Sequence, residues 1–374
     1  MKFSVVILNY NVKYFLDACL QSVRIAVAGK DAEIIVADNH STDGSKTYFE
    51  DKYTDVKFLW FQENLGFAKA YNRAVQSAKG EYLLILNPDT LVAENILDVF
   101  ENFADSHPDF GIIGGKMIDG TGHFLPESKR GIPTPIVAFS KLTKLYKLLN
   151  FKPFNKYYAL HLDENQTGKA DILTGALMFV KKQTYLDVGG FDEQYFMYGE
   201  DIDLSYTVLQ TGKKNYYLSQ AKIIHFKGES TAKDDAYYKR FFDTTFQFYK
   251  KHFRSFPVQE FLMKSIFKLW LKTKIIKATK PQFQKHFAHT YTIVGTESNN
   301  EAKNTIPISK TFKINDIEHN SLLIFDVDTL NFSDIINIME NHRDKHLYYR
   351  FRYNQSGFII GSDTKDQLGN VEML

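Results

Sequence analysis

The chain has 374 residues, a formal net charge of +2, 24% charged residues and 15% aromatic ones. That length accommodates one large domain and a smaller one, and the near balance of charge gives no grounds for a nucleic-acid partner. A lone cysteine, Cys19, excludes a disulfide framework and suits a reducing cytoplasm; no stretch approaches the roughly 18–20 apolar residues of a membrane-spanning helix.

Phe3-Ser4-Val5-Val6-Ile7-Leu8 reads as a strand buried on both faces of a parallel sheet, and it is too short for the apolar core of a signal sequence. The loop Asn9-Tyr10-Asn11 leads to a helix over about Val12 to Val27, with Phe15, Cys19, Leu20 and Val23 on one side. Glu33 to Ala37 is a second buried strand, ending in the polar run Asp38-Asn39-His40-Ser41-Thr42-Asp43-Gly44-Ser45. Strand, loop, helix, strand, loop is a βαβ signature, and in open α/β sheets the loops after the strands line the ligand crevice. Asn9, Asn11 and Asp38 fall there.

Lys57 to Trp60 is the third strand, and Asn64-Leu65-Gly66-Phe67 opens a helix. Gly66 serves either close approach of a ligand or a tight turn. The fourth strand, Tyr82 to Leu86, stops at Asn87-Pro88-Asp89, which as a motif alone is also ordinary turn chemistry. A helix over Glu94 to Phe103 and a strand over Phe110 to Ile118 follow. Residues 131–168 are a looser, proline-punctuated insert with an amphipathic helix from Ala138 to Leu149, read equally as an acceptor-side lid or a packed excursion.

Asp171 to Val180 reads as a strand with small residues, Gly175 among them, early in its course. Met197-Tyr198-Gly199-Glu200-Asp201-Ile202-Asp203-Leu204 then packs three carboxylates into four residues, ahead of a short helix expected over Asp203 to Gln210. Acids suit a first helical turn, but three together repel one another unless a positive partner faces them, which marks a site. Asn215 to Leu218 and Lys222 to Phe226, with His225, are strand-like. Lys239 to about Lys285 is helical and basic, suiting either an anionic membrane surface or domain packing. Beyond Lys280-Pro281 strand and helix patterns describe a small α/β unit of unassigned role, without a complete phosphate-loop motif.

Taken as a set, Ser4 to Asn11, Val36-Ala37-Asp38-Asn39, Asn64-Leu65-Gly66-Phe67-Ala68 with Asn72, Asn87-Pro88-Asp89, Thr174-Gly175-Ala176, Gly190-Phe191-Asp192-Glu193, Gly199 to Leu204, and His225 with Gly228 and Ser230 resemble the family 2 glycosyltransferases. The resemblance spans roughly residues 2 to 255, and its nearest look is to the bacterial rhamnosyltransferase-like branch that builds surface polysaccharides. It implies a GT-A-type fold, a Rossmann-like central mixed sheet with helices on both faces. The domains it suggests are a catalytic one over residues 1–255, a basic amphipathic segment over 256–285 and a small α/β unit over 286–374.

The resemblance also implies roles. Asp38, with Asn9, Asn11, Asn64, Gly66, Asn87 and Gly175 around it, would hold the nucleotide-sugar donor. Asp89 and His225 would hold a divalent metal, Mg²⁺ or Mn²⁺, on the donor diphosphate. Asp201 would be the base that deprotonates the acceptor hydroxyl, with Glu200 beside it and Asp203 a helix-start acid. Asn87 stands where the family's metal motif begins with an acid, which removes one carboxylate. The expected reaction is inverting transfer from a nucleotide-diphosphate sugar, dTDP-rhamnose favoured, to a glycan or lipid-linked glycan, in the cytoplasm or at the cytoplasmic membrane face. A non-catalytic nucleotide-sugar binding or scaffolding protein is the alternative. A nucleotidyltransferase ranks lower, because Asn9-Tyr10-Asn11 offers no glycine-rich basic loop.

Overall fold

A computed structural model describes residues 1–134, 158–226, 235–253, 287–295, 305–307, 317–364 and 368–374. The expected helix over Ala138 to Leu149, the basic segment 256–285, and Gly228 and Ser230 lie outside these residues. In order come β1 (Phe3–Asn9), α1 (Lys13–Val27), β2 (Ala32–Asp38), α2 (Ser45–Phe49), β3 (Val56–Trp60), α3 (Phe67–Gln76), β4 (Tyr82–Leu86), β5 (Thr90–Val92), α4 (Ile96–Ser106) and β6 (Phe110–Ile118). They are followed by β7 (Gly168–Lys169), β8 (Leu177–Lys181), α5 (Lys182–Asp187), α6 (Glu200–Gln210), β9 (Lys214–His225) and α7 (Asp235–His252).

These strands make one mixed sheet in the order β3-β2-β1-β4-β8-β6-β9-β5, with β7 pairing β9. β1 is parallel to β2 and β4, whereas β8 is antiparallel to both β4 and β6. The continuous apolar run of β1 follows from cover on both sides. Val5 and Ile7 pack with Leu16, Leu20 and Val23 of α1, while Val6 and Leu8 pack with Ala68, Tyr71 and Ala74 of α3. The mixed sheet with helices on both faces is the architecture expected from the sequence.

Three elements differ from expectation. Helix α6 starts at Glu200 rather than Asp203, because Gly199 (φ 90°) takes the left-handed cap and its carbonyl accepts from Asp203 N at 2.9 Å. All three acids therefore lie in the first turn. Strand β8 begins only at Leu177, since the chain turns at Thr174, whose carbonyl accepts from Leu177 N. The two strands expected over Asn215 to Phe226 are one, β9, paired to β6 across a register shift between Gly115 and Lys116.

A second sheet contains β10 (Thr290–Val294), β11 (Thr305–Pro307), β12 (Leu322–Asp326), β13 (Tyr348–Tyr353), β14 (Phe358–Gly361) and β15 (Asn370–Met373), ordered β11-β10-β12-β13-β14-β15. Its helix α8 (Phe332–Asn341) buries Phe332, Ile335, Ile336 and Met339. One hydrophobic cluster joins this unit to the first sheet, combining these side chains with Phe15, Leu91, Ile224 and Phe226.

Asp203 is more than a helix-start acid. Its buried carboxylate accepts from Lys251 Nζ at 2.8 Å and meets His252 Nε2 at 2.6 Å, tying α7 to α6. Lys251 also reaches Asp192 at 2.7 Å. Asp203→Ala should lower unfolding free energy by about 1–3 kcal/mol through the buried partners it orphans, read as an earlier midpoint in urea; an unchanged midpoint would show that α7 is held elsewhere.

Candidate functional site

At the carboxyl ends of β1 and β2, Asn9 and Asp38 are direct register partners and both are buried. Asn9 Nδ2 donates to Asp38 Oδ2 at 2.7 Å, and Ser41 N donates to Asp38 Oδ1 at 2.8 Å. Asn9 Oδ1 is left buried with no hydrogen-bond partner. Asn11 takes a left-handed conformation (φ 57°) and braces the neighbouring loop, accepting from Thr42 N at 2.7 Å. These bonds tie the loops after β1 and β2 to each other.

Asn39 carries that order to the next loop. Its Nδ2 donates to Asn64 Oδ1 at 2.8 Å and its Oδ1 accepts from Leu65 N at 2.8 Å, while Asn64 Oδ1 also accepts from Gly66 N at 2.9 Å. Gly66 has φ 76°, and a Cβ there would lie 2.5 Å from the carbonyl oxygen of Phe196. The backbone that approaches this glycine is that of Phe196, whose carbonyl accepts from Phe67 N at 2.7 Å. Gly66 thus fastens the start of α3 to the loop that carries Tyr198 and Gly199, both left-handed, into α6.

Asp89 follows β4 at the point where the chain reverses into β5. Because β5 pairs with β9 with Thr90 opposite His225, Asp89 and His225 are adjacent: Asp89 Oδ1 lies 3.4 Å from His225 Nε2, outside hydrogen-bond geometry. Both are buried, and Asp89 Oδ1 and His225 Nδ1 have no hydrogen-bond partner. Such atoms are expensive to bury without a ligand. A carboxylate oxygen with an imidazole nitrogen is a donor set that fits Mg²⁺ or Mn²⁺. Among the described residues no group of three or more His, Cys, Asp or Glu gathers. Asn87 acts through its backbone, its N–H donating to Ala176 O at 3.1 Å and its carbonyl accepting from Thr90 Oγ1 at 2.8 Å.

Asp201 is gripped from two sides. Its Oδ2 accepts from Arg130 Nη2 at 2.6 Å and from Gly175 N at 3.2 Å. The same Arg130 nitrogen donates to Leu173 O at 2.9 Å. A Cβ on Gly175 would stand 3.4 Å from Asp201 Cβ and 3.3 Å from Phe67 Cζ, so the turn before β8 lies against the carboxylate and the start of α3. Glu200, beside it, is buried with Oε2 unpartnered. Burial first, and the Asp201 charge second, push its carboxyl up to about 8, against a smaller opposing pull from Arg130. Glu200 is thus held toward its protonated form, while its neighbour Asp201 is paired with Arg130.

The structure thus brings Asn9 to Asp38, Asn64 to Gly66, Asp89 to His225, and Gly175 to Asp201. Arg130, the positive partner the acid cluster required, went unnoticed in the sequence: it lies 71 positions from Asp201, and nothing in its neighbourhood distinguishes it from other basic residues.

Residues 4–177 match the family model described as Glycosyl transferase family 2; the match ends before α6 and β9, so Glu200, Asp201 and His225 lie outside it. Among characterised proteins, the N-acetylglucosaminyl-diphospho-decaprenol L-rhamnosyltransferase of Mycobacterium tuberculosis is 28% identical over 243 residues, 62% of this chain and 78% of that protein. The poly(ribitol-phosphate) beta-glucosyltransferase of Bacillus spizizenii is 33% identical over 133 residues, 34% of this chain and 21% of that protein. Among solved structures, the mannosyltransferase PcManGT of Pyrobaculum calidifontis, in complex with GDP-Man and Mn²⁺, aligns over 75% of this chain and 76% of that one, at 17% identity and a TM-score of 0.47.

The Glu200 carboxyl sets a pH dependence with a definite sign. Between its ordinary value of 4.5 and about 8 the folded chain holds a proton that the unfolded chain has lost. Its contribution is therefore complete below that window and declines as pH rises through it. Glu200→Gln, which cannot ionise, should gain melting temperature relative to the wild type on passing from the acid to the alkaline end of the window. Parallel curves from calorimetry would refute the raised value.

Proposed function

We propose, from the match of residues 4–177 to glycosyl transferase family 2, that the chain moves a sugar, with inversion, from a nucleoside-diphosphate donor to a hydroxyl of a glycan or lipid-linked glycan in cell-envelope polysaccharide synthesis. The observation that carries this reading is the carboxylate of Asp201, fixed by Arg130 and Gly175. A general base must be held in place when the hydroxyl arrives: these two donors fix Oδ2, and Oδ1, which accepts from Ile202 N at 2.8 Å, keeps a further lone pair for the proton.

In this reading Asp38 and Asn9 bind the nucleoside, the unpartnered Asn9 Oδ1 offering an acceptor, and Asn64 with Gly66 shapes the adjoining wall. Asp89 and His225 hold a divalent cation, which would neutralise charge on the departing diphosphate. The acceptor oxygen bonds to the anomeric carbon as the bond from that carbon to the diphosphate oxygen breaks, and the hydroxyl proton passes to Asp201. Attack opposite the leaving group inverts the centre. Glu200, whose carboxyl burial keeps toward its protonated form, donates a hydrogen bond to an acceptor oxygen and positions it.

The relative named as a rhamnosyltransferase supports dTDP-rhamnose as the first donor to try, with UDP- and GDP-hexoses next. Relatives named for a decaprenol-linked and a poly(ribitol-phosphate) substrate support an envelope glycan as acceptor. No helix among the described residues is long and apolar enough to cross a membrane.

A panel of nucleotide-sugars, each with Mn²⁺, should show one that raises the melting temperature and is slowly hydrolysed to nucleoside diphosphate. Asp201→Asn should cut transfer by about 10²-fold or more, the scale of a lost general base, while keeping the donor's thermal shift. Near wild-type turnover in Asp201→Asn would sink the base assignment. No hydrolysis with any donor would leave a binding protein.

A further inference from the structure

The helix α8 is fastened to the first sheet at both ends. At its amino end the backbone amides of Phe332 and Ser333 donate to the two oxygens of Glu94, a residue of the β5–α4 turn; the second of these bonds is 3.0 Å long. At its carboxyl end Glu340 forms ion pairs with Lys116 of β6 at 2.7 Å and Lys222 of β9 at 2.6 Å. Lys116 is itself buried, and Arg343 beyond the helix adds a pair with Glu164 at 2.6 Å. An anion at the amino terminus both fills amide valences and suits the helix dipole.

Between its ends α8 packs on β5 and β9, the two strands that lead out of Asp89 and into His225. Leu91, Ala93, Ile224 and Phe226 turn toward α8 and the second sheet and share their cluster. Phe226, next to His225, stands edge-on between Phe15 at 5.2 Å and Phe351 of β13 at 5.4 Å. β5 is only three residues long and is the last strand of its sheet, with a partner on one side alone. So short an edge strand has little pairing of its own, and its position depends on what covers it.

We propose that α8 and the second sheet buttress the Asp89–His225 pair: α8, anchored by Glu94, Lys116 and Lys222, presses β5 against β9 and sets the spacing of the two side chains. Glu94 and Phe351 are accordingly positioning residues. This rests on reading that pair as the cation site.

The test is Mn²⁺ binding to the full chain, followed by the electron paramagnetic resonance signal of the free ion. Asp89→Ala should abolish binding. Glu94→Ala should weaken it about 3- to 10-fold, the scale of a lost helix cap, and Glu94→Gln, which keeps one acceptor, should fall between. Phe351→Leu should weaken it as well. A general loss of stability would lower the melting temperature but leave the affinity of the folded protein unchanged. Wild-type affinity in Glu94→Ala and Phe351→Leu, with Asp89→Ala still deficient, would overturn the buttress alone. Wild-type affinity in Asp89→Ala would overturn the cation reading and the buttress with it. Should Glu94→Ala fail to fold, Glu94→Gln and Phe351→Leu decide between these outcomes.

Discussion

Burial on both faces of the central strands is the constraint from which the rest follows. With Val5 and Ile7 committed to one layer and Val6 and Leu8 to the other, β1 has no side on which a polar group can meet water. The exception, Ser4, is tolerated because its hydroxyl donates to Glu33 at 2.7 Å and accepts from Gly80 N at 2.8 Å. At the strand ends lie the unpartnered atoms of Asn9 on β1, Asp89 after β4 and His225 on β9, with Glu200 in the first turn of α6.

Loops alone would place such groups poorly, and the structure compensates by tying each to the next. Asn39 joins the loop after β2 to Asn64; Gly66 and Phe67 join α3 to Phe196; Gly175 joins the turn before β8 to Asp201; Ala176 joins that turn to Asn87. Almost all of these ties use a backbone group on at least one side. They fix distances that side chains alone would leave loose, which is the preorganisation that electrostatic catalysis requires. One of the ties depends on glycine, since Gly66 makes room for the Phe196 carbonyl.

The sequence made the fold legible wherever one physical signal dominated. Continuous apolar runs marked β1, β2 and β4 because both faces are covered, and an apolar stripe of Phe15, Cys19, Leu20 and Val23 marked α1. It failed where the deciding contact is distant. The start of α6 depends on the left-handed Gly199, so Glu200 and Asp201 read as a lead-in to the helix. Strand β9 looked broken because Ser219-Gln220-Ala221 resembles a turn until β6 is laid beside it with its register shift. In the candidate site, residues inside compact motifs could be named beforehand. Arg130 and Glu94 could not, since Glu94 meets its partner Phe332 across 238 positions and neither carries a local signature.

Cys19 shows what this packing makes measurable. It is the chain's one cysteine, fully buried on α1, with its sulfur 3.7 Å from both Asn87 O and Thr90 Oγ1. Burial pushes its thiol up to about 12, so at neutral pH in the folded chain it is a poor nucleophile and out of reach of reagents. Alkylation must then wait for α1 to lift away from the reversal between β4 and β5. The rate at which the native protein takes up a thiol reagent becomes a clock for opening at that reversal, with no label to introduce and no second thiol to confuse it.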